Sequence, residues 1–174
     1  MKRWAGVFLL ILLLIETIIK ANQGILPEML WACYPATLML AIGLLFDVAL
    51  FSASGFLFHV CIGLPANLLS LATNGSNNWA SFLIHFASPG IGFCAWRGKQ
   101  LPFASSIVAT CLLIGFSVIS YFFTAPELNI NQVFKPWEPV AFLGLWGSRI
   151  LNALLLFFLL FIGRMGINRC LAKF

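Results

Sequence analysis

Long apolar runs dominate this sequence and constrain its fold more than any other feature. Six runs predict helices over residues 4–19, 29–50, 56–72, 79–96, 103–123 and 140–163. Each is close to the roughly 20 residues that a helix needs to cross a bilayer. Their apolar residues are continuous rather than alternating, which favours helices over membrane strands. The sequence therefore predicts an all-α, polytopic integral membrane protein, with about six transmembrane helices in one bundle and residues 1–174 in a single domain.

Composition supports a membrane environment. Apolar and aromatic residues make up 61% of the chain and charged residues 9%, whereas soluble domains carry about 25% charged residues. The basic start and apolar core of the first run resemble a signal peptide. The segment "ETIIKANQG" that follows offers no small-x-small cleavage site, so we interpret the run as a retained first helix.

The basic residues predict the orientation. The larger group comprises the seven residues Lys2, Arg3, Arg97, Lys99, Arg164, Arg169 and Lys173, on one side of the predicted spans, and the other side has only Lys20 and Lys135. The positive-inside rule then places both termini in the cytoplasm. The same distribution accounts for the net charge of +5. Because no polar module carries a basic patch, we predict no nucleic-acid partner.

Several polar side chains fall toward the outer side of the membrane in this topology. The residues in or near spans are Glu16, Cys33, His85, Arg149 and Asn152, and those in the outer loop are Asn129 and Asn131. An ionisable residue within a span costs roughly 2.5 to 3.5 kcal/mol on insertion scales, so it is a functional candidate.

These residues allow several interpretations. Glu16 and Arg149 could form an interhelical ion pair, and His85 could bond a backbone carbonyl between helices. Asp47 and His59 flank the "SASG" sequence, read as a turn, and could pair near the cytoplasmic surface. The sharper hypothesis pairs Cys33 with His85, since an imidazole can activate a thiol as a nucleophile.

Metal and disulfide chemistry are not predicted. The five cysteines form no CxxC motif. The two histidines fall at opposite predicted depths, which disfavours a zinc site. We therefore expect no metal and no cofactor.

Four stretches carry a family resemblance. In chain order they are "LPEMLWACYPATLML", "SFLIHFASPGIGF", "NINQVFKPW" and "FLGLWGSRILN". They resemble segments of the bacterial YwaF-type integral membrane proteins, whose animal relatives include a membrane acyltransferase acting on phospholipids. Gln132 and Arg149 stand where that family usually has aromatic residues. The resemblance implies that Cys33 is a nucleophile, that His85 is its base, and that the protein lies in a bacterial inner membrane.

The resulting hypothesis is an acyl-lipid enzyme, either an acyltransferase or a lipid hydrolase, with membrane lipids as partners. Asn131 would orient His85 or the ester, and Arg149 would bind a lipid phosphate. The further substrate-binding candidates are Asn129, Asn152 and Glu16. One alternative is a small transporter or channel with Glu16, His85 and Arg149 along a polar path. Another is a structural subunit of a membrane complex, and a homo-oligomer is also compatible with the sequence.

Overall fold

The computed structural model describes residues 2–74, 78–135 and 142–173, without the side chains of residues 73 and 74. Its longer elements are α1 Lys2–Asn22, α2 Cys33–Leu45, α3 Ala49–Phe58, α4 Leu64–Asn74, α5 Trp79–Trp96, α6 Ala104–Phe123 and α7 Gly144–Leu171. Short 3-10 turns cover Leu26–Leu30, Pro126–Leu128 and Ile130–Gln132, and a π turn covers His59–Gly63. None of the described residues forms a strand, which confirms the all-α prediction.

Four helical segments in the described ranges are long and apolar enough to cross a membrane: Lys2–Asn22, Ala49–Ala72, Ala104–Phe123 and Gly144–Leu171. The segment at 49–72 joins α3, the π turn and most of α4. Helix α2, with 13 residues, is shorter than a usual span. Helix α5 has 18 residues but contains His85, Pro89, two serines and two glycines, which lower its hydropathy. The membrane character is thus supported by four helices, and the number six stays a prediction. The start of the predicted run at 140–163 lies outside the described residues.

The connection between α2 and α3 differs from the prediction. The "SASG" sequence lies inside α3, and the chain turns at residues 46–48 instead, where Asp47 adopts φ 56°. A Cβ at Gly43 would lie 2.2 Å from the Ser52 nitrogen, and one at Gly55 would lie 2.5 Å from the Ala36 oxygen. Small residues therefore serve as the contact surface between two closely packed helices rather than as a turn.

His59, the first residue of the π turn His59–Gly63, lies deeper in the bundle than predicted. His59 lies ten residues beyond the first residue of α3, about 15 Å along a helix. The expectation that His59 lies near the cytoplasmic surface is therefore wrong. Insertions of this kind inside helices occur frequently at functional sites.

The helices run alternately between two ends of the bundle. We define the Cys33 end by contacts of the segments 20–33, 78–81, 129–135 and 142–149. Lys20 contacts Glu28, Asn131 contacts Leu30, and Arg149 contacts Val133. The opposite end contains contacts of the segments 2–3, 46–48 and 97–101: Lys2 with Asp47, and Asn168 with Leu101. The buried core between them includes Leu9, Leu40, Phe56, Leu57 and Leu160.

Candidate functional site

Cys33 occupies the first position of α2, and its side chain is half-buried. The 3-10 turn Leu26–Leu30, which begins beside Pro27, brings the chain to that position. The amino end of a helix carries a partial positive charge. Cys33 lies at that end, at the boundary between α2 and the preceding loop.

Asn131 holds the segment directly before Cys33. The Ala32 N–H donates to Asn131 Oδ1 at 3.0 Å, and Asn131 Nδ2 donates to the Leu30 carbonyl at 2.9 Å. The same Nδ2 donates to Ser120 Oγ at 3.1 Å. These bonds tie the Cys33 loop to α6. Two of them go to the loop and one to Ser120, and the role of Asn131 in orienting His85 or the ester stays a prediction.

The loop that carries Asn131 has an unusual backbone. Asn129, Asn131 and Gln132 have φ values of 42°, 53° and 57°. Residues other than glycine rarely adopt this left-handed conformation, and such strain is concentrated at functional sites. Asn129 stabilises the loop, because its Oδ1 accepts the N–H groups of Phe134 and Lys135 at 2.9 and 2.8 Å.

His85 is buried on α5, and its ring has a defined tautomer. Nδ1 lies 2.7 Å from the Ser81 carbonyl, which can only accept, so Nδ1 carries the proton. Nε2 is then left with a lone pair and can accept a proton. Pro89, one turn later, lacks the N–H that would otherwise bond the His85 carbonyl.

His59 is buried as well and is linked to the Cys33 backbone. Thr37 Oγ1 donates to the Cys33 carbonyl at 3.0 Å and lies 2.8 Å from His59 Nε2. Because the single hydroxyl proton is used in the first bond, Nε2 is the donor in the second. His59 Nδ1 is buried without a hydrogen-bond partner in the described part of the chain.

The two histidines lie side by side. Their ring centroids are 5.9 Å apart, and the Tyr34 ring lies 6.4 Å from that of His85. The prediction of well-separated histidines is therefore wrong, because the chain reversal at residues 46–48 places His59 in the middle of its span. No hydrogen bond among the described residues joins the Cys33 thiol to either ring, so the Cys33–His85 pair stays a prediction.

A buried charged network lies beside the imidazoles. Glu16 is fully buried, and its Oε1 accepts from Tyr34 Oη at 2.8 Å and Asn78 Nδ2 at 3.2 Å. Lys20 Nζ lies 3.5 Å from that oxygen and 2.6 Å from Glu28 Oε2. Tyr34 Oη is also 3.3 Å from Ser81 Oγ. Lys20, one helical turn from Glu16, takes the position expected for Arg149, so the predicted Glu16–Arg149 ion pair is wrong.

Arg149 closes the other side of the Cys33 end. One of its Nη2 protons is donated to the Val133 carbonyl. Its guanidinium stacks over Trp146 at 4.6 Å and Tyr121 at 5.2 Å, both cation–π distances. Asn152, one turn further along α7, is half-buried and has no hydrogen bond within the described ranges. Both residues frame the Cys33 end without contacting Cys33.

Several site residues had not been predicted from the sequence: Lys20, Tyr34, Thr37, His59, Asn78, Ser81 and Ser120. Only Asn78 has a recognisable local signal. It precedes α5, and its side chain accepts the Ser81 N–H as an N-cap. Asp47 contacts Lys2 at 3.9 Å at the opposite end, so the predicted Asp47–His59 pair is wrong. The described residues contain no group of three His, Cys, Asp or Glu placed to hold a metal ion.

No family model matches this chain, and no curated protein or solved structure matches it.

Proposed function

We propose that this protein is a membrane-embedded enzyme that transfers or hydrolyses lipid acyl groups through a thioester on Cys33. The observation that carries the proposal is the convergence of the four motif stretches at one end of the bundle. Asn131 bonds the segment before Cys33, and Arg149 bonds the Val133 carbonyl. His85 lies against Tyr34, the residue after Cys33. A resemblance drawn from four separate stretches predicts this kind of proximity.

The first chemical step forms the thioester. His85 Nε2 accepts the thiol proton while Cys33 Sγ attacks the ester carbonyl carbon. The tetrahedral intermediate then collapses, and its C–O bond breaks. The leaving alkoxide takes the proton from His85, which yields a lysolipid hydroxyl and an acyl group on Cys33. The neighbouring His59 and Tyr34 rings hold the His85 ring in place.

The second step releases the acyl group. An acceptor alcohol, or water, gives its proton to His85 Nε2 and attacks the thioester carbonyl. The C–S bond breaks, and the Cys33 sulfur recovers the proton. An alcohol acceptor gives acyl transfer and water gives hydrolysis, with the same residues in both cases.

Lipid is the substrate class that the position of the site favours. A lipid reaches a site within the bilayer sideways from its leaflet, and Arg149 lies half-buried beside the exposed Trp146, as expected at a membrane interface. We propose that Arg149 contacts the lipid phosphate, with Asn129 and Asn152 nearby. In this proposal α2 and α5 complete six crossings, and both termini face the cytoplasm of a bacterial cell.

The proposal is tested by capturing the acyl group on the protein. The purified protein would be placed in vesicles with a phospholipid whose acyl chain ends in an alkyne, and hydroxylamine-labile label would be mapped by mass spectrometry. We expect label on Cys33 alone, its loss in Cys33→Ser, and at least about 100-fold slower labelling in His85→Ala. The exposed Cys94 and Cys170 provide control variants with alanine. Lipid turnover that persists in Cys33→Ala would overturn the proposal.

A polar conduit is the second candidate. Four buried side-chain atoms of the described residues have no hydrogen-bond partner near or below this site: Glu16 Oε2, His59 Nδ1, Asn67 Oδ1 and Ser88 Oγ. Such atoms are costly in a membrane and favour an internal path for water or protons. A transporter should tolerate Cys33→Ser and lose activity in Arg149→Gln. The thioester enzyme should lose activity in Cys33→Ser.

A further inference from the structure

An apolar groove runs along the outside of the bundle between α2 and α6. Its volume is about 320 Å³, within the range of small-ligand sites. One wall is Met39 of α2, and the other is the α6 face formed by Val108, Cys111, Leu112, Gly115, Phe116 and Ile119. These six positions follow the 3–4 spacing of one helical face. The groove therefore follows the helix axis rather than crossing it.

The length of the groove matches one lipid chain in one leaflet. From Val108 to Ile119 the helix rises about 16 Å at 1.5 Å per residue. The hydrocarbon core of a bilayer is about 30 Å thick, so each leaflet occupies about 15 Å. A Cβ built at Gly115 meets no atom within 4 Å. The missing side chain leaves the middle of the groove open.

One end of the groove lies beside the loop that leads into Cys33. Ile119 precedes Ser120, whose Oγ accepts from Asn131 Nδ2 at 3.1 Å. Asn131 in turn accepts the Ala32 N–H, one residue before Cys33. On the other wall, Met39 lies six residues beyond Cys33, about 9 Å along α2. Both walls thus approach the Cys33 end from the same direction.

We infer that this groove seats the acyl chain of the lipid whose carbonyl reaches Cys33. The inference rests on the proposed function for the identity of the reacting atom, the Cys33 sulfur. The binding of an acyl chain rests on the groove itself. The occupant is an acyl chain because the lining is apolar, the length is that of one leaflet, and the Ile119 end adjoins the Asn131-held loop that leads into Cys33. A chain bound along α6 would place its ester beside the Asn131-held loop.

Filling the groove at Gly115 tests the inference. Gly115→Leu places a side chain in open space, so the fold should be retained. Gly90→Leu is the matched control, because Gly90 is also exposed on a helix and also has no atom within 4 Å of a built Cβ. Equal thermal midpoints of the two variants would establish that both are folded.

The readout is binding without chemistry. In a Cys33→Ala background, vesicles would contain a phosphatidylglycerol with a diazirine in the middle of one acyl chain, and cross-links to α6 would be mapped after illumination. We expect Gly115→Leu to reduce cross-linking about tenfold, equivalent to about 1.4 kcal/mol, and Gly90→Leu to leave it unchanged. With Cys33 restored, Gly115→Leu should shift thioester formation toward shorter acyl chains.

The outcomes separate the groove from the chemistry. Loss of cross-linking in Gly115→Leu, with no thioester in any variant, would support the groove and remove the proposed function. Unchanged cross-linking in Gly115→Leu, with thioester formed at the wild-type rate on long chains, would overturn the groove and leave the proposed function standing. An equal loss in Gly90→Leu would also overturn the inference.

Discussion

The two ends of the bundle share one feature, an asparagine that bonds a loop, but the two loops differ. At each end an asparagine side chain holds a loop through both its oxygen and its nitrogen. Asn168 bonds the N–H and carbonyl of Leu101 at 2.7 and 3.2 Å, as Asn131 does for Ala32 and Leu30. The Leu101 loop connects α5 to α6. The loop held by Asn131 leads directly into Cys33.

The charges at the two ends differ even more. Glu16 and Lys20 at the Cys33 end are 0% and 6% exposed. At the opposite end, the side chains of Lys2 and Asp47 are 46% and 86% exposed. The Lys2 ammonium lies within hydrogen-bonding reach of Lys99, and both groups contact water. Because the two like charges lie close together, the pKa of Lys99 is lowered. Buried charge is costly and exposed charge is not, so the polar groups at the Cys33 end are the stronger functional candidates.

The largest expected effect comes from removing one acid at each end. Glu16→Ala leaves Tyr34, Asn78 and Lys20 without their shared acceptor and should lower the free energy of unfolding by about 3 to 5 kcal/mol. Asp47→Asn, which removes the charge and keeps a residue that tolerates φ 56°, should change it by less than about 0.5 kcal/mol. Unfolding of both variants in one detergent measures the difference.

A double variant shows whether the cost arises from an unpaired charge. Glu16→Leu combined with Lys20→Met replaces the buried pair with apolar side chains and should recover most of the lost stability. Equal destabilisation by Glu16→Ala and Asp47→Asn would contradict the contrast between the two ends.

A smaller effect is expected from the two asparagines. Asn131→Ala and Asn168→Ala should each lower the free energy of unfolding by about 2 kcal/mol, because each leaves backbone groups unpaired. Maleimide labelling of Cys33 should accelerate severalfold in Asn131→Ala only, since that change releases the Cys33 loop. If Asn168→Ala accelerated the labelling equally, the positioning role of Asn131 would be lost.

The smallest effect concerns the hydroxyl between Cys33 and His59. Thr37→Val removes the link and leaves the His59 Nε2 proton unpaired, at about 1 to 2 kcal/mol. Thr110→Val is the matched control, because among the described residues its hydroxyl bonds the Ser106 carbonyl of its own helix and no other group. We expect a change within about 0.5 kcal/mol. If thermal unfolding gave equal losses of stability for Thr37→Val and Thr110→Val, the Thr37 bridge would have no special role.

Much of the fold was accessible from the sequence. The predicted runs at 79–96 and 103–123 correspond closely to α5 and α6, because continuous apolar sequence bounded by polar turns has few other solutions. The reversal before α3 was misplaced because serine and glycine favour turns and close helix contacts equally. At Gly55, it is the facing residues Ala36 and Leu40 that distinguish a close helix contact from a turn.

The candidate site was less accessible. Cys33 and His85 stand out as polar groups in apolar runs, but His59 was assigned to the wrong depth once the turn was misplaced. Thr37, Tyr34 and Ser81 carry no sequence signal, since hydroxyl residues in spans commonly bond their own helix. The roles of Asn131 and Lys20 depend on contacts between segments far apart in the chain, and a single sequence does not specify such contacts.

Reactivity of the five cysteines in intact membranes tests the central claim most directly. An acyl-mimicking electrophile would be applied to the wild type and to His85→Ala, and the labelled cysteines would be quantified by mass spectrometry. We predict that Cys33 reacts fastest of the five, ahead of the more exposed Cys94, Cys111 and Cys170, and that His85→Ala removes this advantage. An unreactive Cys33, or one indifferent to His85, would contradict the account.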